Sequence, residues 1–151
     1  MMPGSAIKSH RDLIVWQKAM DLAVAAYGTT ARFPSDERYG LTSQIRRACA
    51  SIPANIAEGY GRESTGAYAQ QLRVAQGSLK EFETHIELAY RVGIIDQSNL
   101  DLHLKSAEEI AHLRHASRIT GKAFRRILRR VRPGDRLIVS VADGAFSTEV
   151  S

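Results

Sequence analysis

This sequence predicts an all-α fold: an antiparallel up-down-up-down four-helix bundle with a flexible C-terminal tail. Three observations predict it. Four long stretches carry apolar residues at alternating three- and four-residue steps, the period of a helix with one buried face. The breaks between them are short and built from Pro, Gly, Ser and Asp. No βαβ pattern, internal repeat or low-complexity segment interrupts the series. With 151 residues the chain is long enough for one domain with a real core. Its 44% hydrophobic and 25% charged residues are those of an ordinary globular protein. The expected division is a loose leader over 1–11, the bundle over 12–132 and the tail over 133–151.

Asp12 is placed to cap the first helix, where Leu13, Trp16, Met20, Ala23 and Tyr27 form the seam of an antiparallel bundle or coiled coil. That helix ends before Phe33, because Pro34 disfavours helical backbone at the residue preceding it. Ser35 or Asp36 can cap the second helix. Along it, Leu41, Ile45, Ala48, Ile52, Ile56 and Gly59 share one face, Pro53 predicts a kink, and Gly59 and Gly61 end it. Ser64 or Thr65 opens the third helix, whose Leu72, Ala75, Leu79, Phe82, Ile86 and Ala89 keep strict alternation, with Val92 continuing it. Gly77 lies inside that run at a cost of roughly 1 kcal/mol, which implies close approach of another backbone. The third helix stops near Gly93.

Asp96 or Ser98 opens the fourth helix, which carries Leu100, Leu104, Ala107, Ile110, Ile119, Phe124 and Leu128 and runs to about Val131 before Pro133-Gly134. Such a rod is about 50 Å long, so its end projects beyond the bundle. Leu137–Val141 has strand character but no evident partner strand, and Gly134–Ser151 reads as tail.

Beside the apolar face of the second helix lies a polar stripe: Arg47, Ser51, Asn55, Glu58 and Arg62, at steps of four, four, three and four. One reading is a structural network that fixes the register of helices or subunits, since buried polar groups must be satisfied. The other is an anion site using Arg47 and Arg62 as forks for phosphate or carboxylate. The spacing alone leaves both open.

Cys49 is the only cysteine, so no disulfide forms within the chain, and its place on the apolar side marks a buried structural thiol. A lone cysteine suits a reducing compartment. The first ten residues have no apolar signal-peptide core and no run reaches membrane-spanning length, so a cytoplasmic protein is expected. The net charge of +5 is unevenly placed. Arg118–Arg136 holds eight basic residues against Asp135, a local +7 that leaves −2 for the rest.

Four strings are familiar. Asp-Leu-x-Val-Trp-Gln-Lys-Ala (12–19), Gly-Leu-Thr-x-Gln-Ile-Arg-Arg-Ala (40–48), Ser-Ile-Pro-x-Asn-Ile-Ala-Glu-Gly (51–59) and Gly-Ser-Leu-x-Glu (77–81) resemble the four helix bundle protein family. That family includes proteins encoded by intervening sequences in bacterial large-subunit ribosomal RNA genes. The chain also resembles the accessory variability determinant of diversity-generating retroelements. The resemblance covers Asp12 to the fourth helix. It implies a bacterial, cytoplasmic, non-enzymatic bundle that assembles as a homopentameric ring. In the retroelement relatives, a basic ring surface binds RNA and a reverse transcriptase.

Three functions follow for testing. The first is an oligomeric module that binds RNA or DNA through Arg118, Lys122, Arg125, Arg126, Arg129 and Arg130, with affinity that falls with salt. A helix end also favours cations through its dipole, but eight basic residues exceed what capping needs. Phe124 is the one aromatic residue among them, so base stacking is not expected there. The second is a scaffold that recruits a partner protein. The third is an enzyme, and Glu109-Ile-Ala-His112 has the Glu-x-x-His spacing of carboxylate-bridged di-iron bundles. A second such motif is missing, because His85 follows Glu81 by four, so neither a metal nor a cofactor is expected. No phosphate-cradling loop or nucleophile motif is present.

Overall fold

Each amphipathic stretch becomes one helix. The computed structural model describes residues 8–62, 64–118, 136–141 and 144–149. Helices α1 (Ile14–Thr30), α2 (Leu41–Gly61), α3 (Thr65–Arg91) and α4 (Gln97–Arg118) follow in order. Each packs against the next, and α4 closes the ring against α1, as an up-down-up-down bundle requires. The core takes Ile45, Ile52 and Ile56 from α2, Leu72, Leu79, Phe82 and Ile86 from α3, and Leu100, Ala107 and Ile110 from α4. Burying a side chain of that size contributes about 1.5–3 kcal/mol.

The buried face of α1 lies one step round from the expected seam. Val15, Ala19, Leu22 and Ala26 are inside, whereas Met20 and Tyr27 are 38% and 47% exposed. Trp16 and Ala23 pack against the core from its edge. The three-four pattern starting at Leu13 is real, but α1 has two apolar stripes and the smaller residues take the interior. Val92, expected to extend the α3 face, is likewise exposed.

The helix ends show which side chains hold orphaned backbone groups. Ser64 Oγ accepts from the Ala67 N–H at 3.1 Å, and Asp96 Oδ1 accepts from Asn99 at 2.8 Å, both as expected. Asp12 instead closes a capping box with Ser9 around the single 3-10 turn His10–Asp12, and α1 starts at Ile14, with Leu13 as an N-cap residue that makes no side-chain cap bond. The Lys8 and Ser9 N–H groups that Asp12 accepts hold its carboxyl below the usual range. Neither Ser35 nor Asp36 caps α2; Glu37 Oε2 takes the Leu41 N–H at 2.9 Å. After α3, Gly93 at φ +82° closes the helix. The Gly93 N–H donates to Tyr90 at 3.0 Å and the Ile94 N–H to Ala89 at 2.8 Å, a Schellman closure.

Two glycines exchange their expected roles. Gly59 is buried inside α2. A Cβ there would lie 2.9 Å from the Gln71 Cβ and 3.1 Å from the Tyr68 ring, so α3 packs closely against α2 at Gly59. Gly77, expected to allow such an approach, has open space around it. Pro53 lies buried within an uninterrupted α2.

Beyond the bundle, Arg136–Val141 (β1) pairs antiparallel with Gly144–Glu149 (β2), from Arg136 opposite Glu149 to Val141 opposite Gly144. This corrects the reading that Leu137–Val141 has no partner strand. The overlooked signal was the Asp143-Gly144 dipeptide in the sequence just after Val141, a composition that often accompanies hairpins. The expected reach of the fourth helix beyond Arg118 lies outside the described residues.

Candidate functional site

The polar stripe of α2 divides into an inner, satisfied half and an outer, open half. Ser51 Oγ and Ser78 Oγ lie 2.8 Å apart, joining α2 to α3. Asn55 Nδ2 donates to the Ser51 carbonyl at 2.7 Å and to its hydroxyl at 2.9 Å. These half-buried groups satisfy one another, which is what a register-fixing network needs. Further along, Arg62 and Glu58 form an exposed pair at 2.6 Å, one turn apart. Such exposed pairs contribute little to stability. Arg47 is exposed and has no polar partner among the described residues. At the helical rise the fifteen steps from Arg47 to Arg62 span about 22 Å along α2, too far for both to fork one phosphate.

Arg46, the neighbour of Arg47, does more for the fold and is absent from the stripe. Its Nε donates to Thr30 Oγ1 at 2.9 Å and its guanidinium stands 4.6 Å from the centre of the Tyr27 ring. Thr30 in turn donates to the Ala26 carbonyl at 2.8 Å. Arg46 thus brings positive charge to the C-terminus of α1, where the helix dipole favours it, and ties α1 to α2. The sequence offered one signal: Arg46 follows the buried Ile45, on the flank turned toward α1.

A second polar link was also missed. His103 is 1% exposed and its Nε2 lies 2.9 Å from Thr29 Oγ1, across α4 and α1. Its ring meets Phe82 edge-on with centroids 5.8 Å apart. Burial pushes its pKa below the ordinary histidine value, so the ring is held neutral. Cys49 is fully buried and its thiol donates to the Arg46 carbonyl at 3.3 Å. Burial raises its pKa to about 11, so it carries almost no thiolate at neutral pH.

The Glu-x-x-His residues point to separate partners. Glu109 meets Lys18 of α1 at 3.6 Å, and His112 lies 3.9 Å from Glu108 on its own helix. His85 lies 3.7 Å from Glu81. Among the described residues no three His, Cys, Asp or Glu side chains come together as metal ligands. No described helix is long and apolar enough to cross a membrane. Of the basic residues singled out for nucleic acid, Arg118 is the last described residue of α4. Lys122, Arg125, Arg126, Arg129 and Arg130 lie outside the described residues.

By class the chain is an all-α four-helix bundle whose conspicuous polar residues bond mainly to one another. The chain belongs to the 23S rRNA-intervening sequence protein family, whose profile matches residues 11–116. Among solved structures it is similar to a protein of unknown function from the S23 ribosomal protein family of Bacteroides thetaiotaomicron. The TM-score is 0.64 at 24% identity, over 71% of this chain and 100% of the other, a likeness of fold. No curated protein matches.

Proposed function

We propose that this protein is a non-catalytic, self-associating bundle that binds RNA, with phosphate contacts made by the basic run Arg118–Arg136. The segregation of charge carries the reading: a local +7 on a chain of net +5 leaves a body of −2. Within that body, the Arg62, Arg91 and Lys80 charges already face Glu58, Glu87 and Glu83. Self-association, as the pentamer that the resemblance implies, is supported by the outer flank of α1, where Met20 and Val24 are 38% and 68% exposed one turn apart. A ring would repeat the basic run around its axis and raise affinity through avidity.

The test is a salt titration of binding to a structured RNA, comparing the full chain with a variant in which Arg125, Arg126, Arg129 and Arg130 are replaced by Gln. Each lost phosphate contact removes about 0.7–0.9 from the log–log slope, so the variant flattens it by about three. Absence of binding by the full chain at low salt rejects the reading and leaves a protein-recruiting scaffold.

A further inference from the structure

The basic run supplies phosphate contacts but only one aromatic residue, Phe124. The structure assembles the missing chemistry elsewhere, at the corner where α1 gives way to α2. We infer that this corner is a stacking site for single-stranded RNA, with the Tyr39 ring as platform and Arg38 beside it, and with Arg32 and the Tyr27–Arg46 pair on the adjoining end of α1 and flank of α2. The inference rests on the RNA-binding reading and gives it a second contact surface, one that reads bases as planar faces.

Tyr39 is 86% exposed, far more than a large aromatic residue needs to be in a chain with a sizeable core. It does not hang on a frayed loop. The Glu37, Arg38 and Gly40 N–H groups donate to Pro34, Ser35 and Glu37 at 3.0–3.1 Å. The Glu37 carboxylate then folds back onto the Leu41 N–H at 2.9 Å. Gly40 leaves room for that fold: a Cβ there would sit 2.5 Å from Glu37 Oε2. The ring is therefore held out by a braced turn, and stacking a base on it requires little further ordering.

The electrostatics suit a polyanion with π-faces. The Arg38 guanidinium stands 5.6 Å from the Tyr39 ring centre, and Arg46 stands over the half-exposed Tyr27. Both are cation–aromatic pairs, the combination that accepts a base and its phosphate together. Arg32 and Arg38 are exposed and meet no carboxylate among the described residues. Of the two acids in the connecting segment, Asp36 and Glu37, Glu37 is committed to the α2 backbone. An apolar partner would leave these cations desolvated without counter-charge, whereas phosphate supplies it.

The experiment uses the full chain, a fluorescent oligouridine of about twelve nucleotides and an abasic ribose-phosphate strand of equal length. Tyr39→Ala is expected to weaken oligouridine binding roughly five- to hundredfold with the salt slope unchanged, because stacking releases no counterions. Tyr39→Phe, which keeps the π-face, stays within about twofold of the parent, and the abasic strand is insensitive to both changes. Unchanged oligouridine affinity in Tyr39→Ala, with the parent still binding, overturns the stacking site and leaves the phosphate-contact reading intact. An equal loss on the abasic strand overturns it too, since the ring would then act without bases. Failure of the parent chain to bind any RNA overturns both readings.

Discussion

At the scale of single residues, the most informative polar group is His103. It is buried, held by Thr29 on one ring nitrogen, and its Nδ1 has no partner among the described residues. Desolvation lowers its folded-state pKa below 6.5, whereas the unfolded chain returns it to that ordinary value. The unfolded state thus binds more protons as the medium acidifies, and the stability present above about pH 6.5 drains away below it, by at most about 1.4 kcal/mol per pH unit. Urea midpoints at descending pH should therefore fall more steeply in the parent than in His103→Gln, whose amide can still meet Thr29. Equal pH dependence in the two would mean that His103 protonates freely in the fold. Cys49, buried with a raised pKa, has no corresponding role in redox or nucleophilic chemistry at neutral pH.

At the scale of elements, the two glycines on α2 and α3 make opposite predictions from the same residue type. Gly59→Ala forces a Cβ into the Tyr68 ring and Gln71 and should destabilise by about 1–3 kcal/mol. Gly77→Ala adds a methyl to open space in a helix interior and should stabilise by about 0.5–1 kcal/mol. Chemical denaturation of both variants checks the pair, and a loss at Gly77 would reveal an intermolecular neighbour there. Such roles are invisible to sequence, because periodicity says which face of a helix is buried but not how near the neighbouring backbone comes. The same limit explains the rest of what was legible. The α2 and α3 faces were readable from Ile45–Ile56 and Leu72–Ala89 because each has one wide apolar stripe. The α1 face was misread because Leu13–Tyr27 offers two. Arg46, His103 and the Tyr39 corner were missed because their partners lie 16 or more residues away, or because exposure itself is the signal.

At the scale of the whole molecule, the exposed flank of α1 becomes the argument for assembly. Met20 and Val24 are 38% and 68% exposed, one turn apart on α1, beside the partly buried Trp16 and Ala23. An isolated bundle gains nothing from such a stripe, and regular spacing at three and four residues is what a facing helix of another copy would interdigitate with. A double variant, Met20→Glu with Val24→Lys, puts two charges at its centre without touching the core. Sedimentation equilibrium should show the parent as a multiple of the 16.7 kDa chain, five-fold if the ring forms, and the variant as a single chain with unchanged helical circular dichroism. The variant should also lose the avidity component of RNA binding while keeping the affinity of one chain for a short strand. An assembly that survives both charges would move the interface off α1, with the exposed Val74, Leu88 and Val92 of α3 the next surface to test. A parent that stays a single chain at high concentration would reject self-association through this stripe and remove avidity from the account of RNA binding.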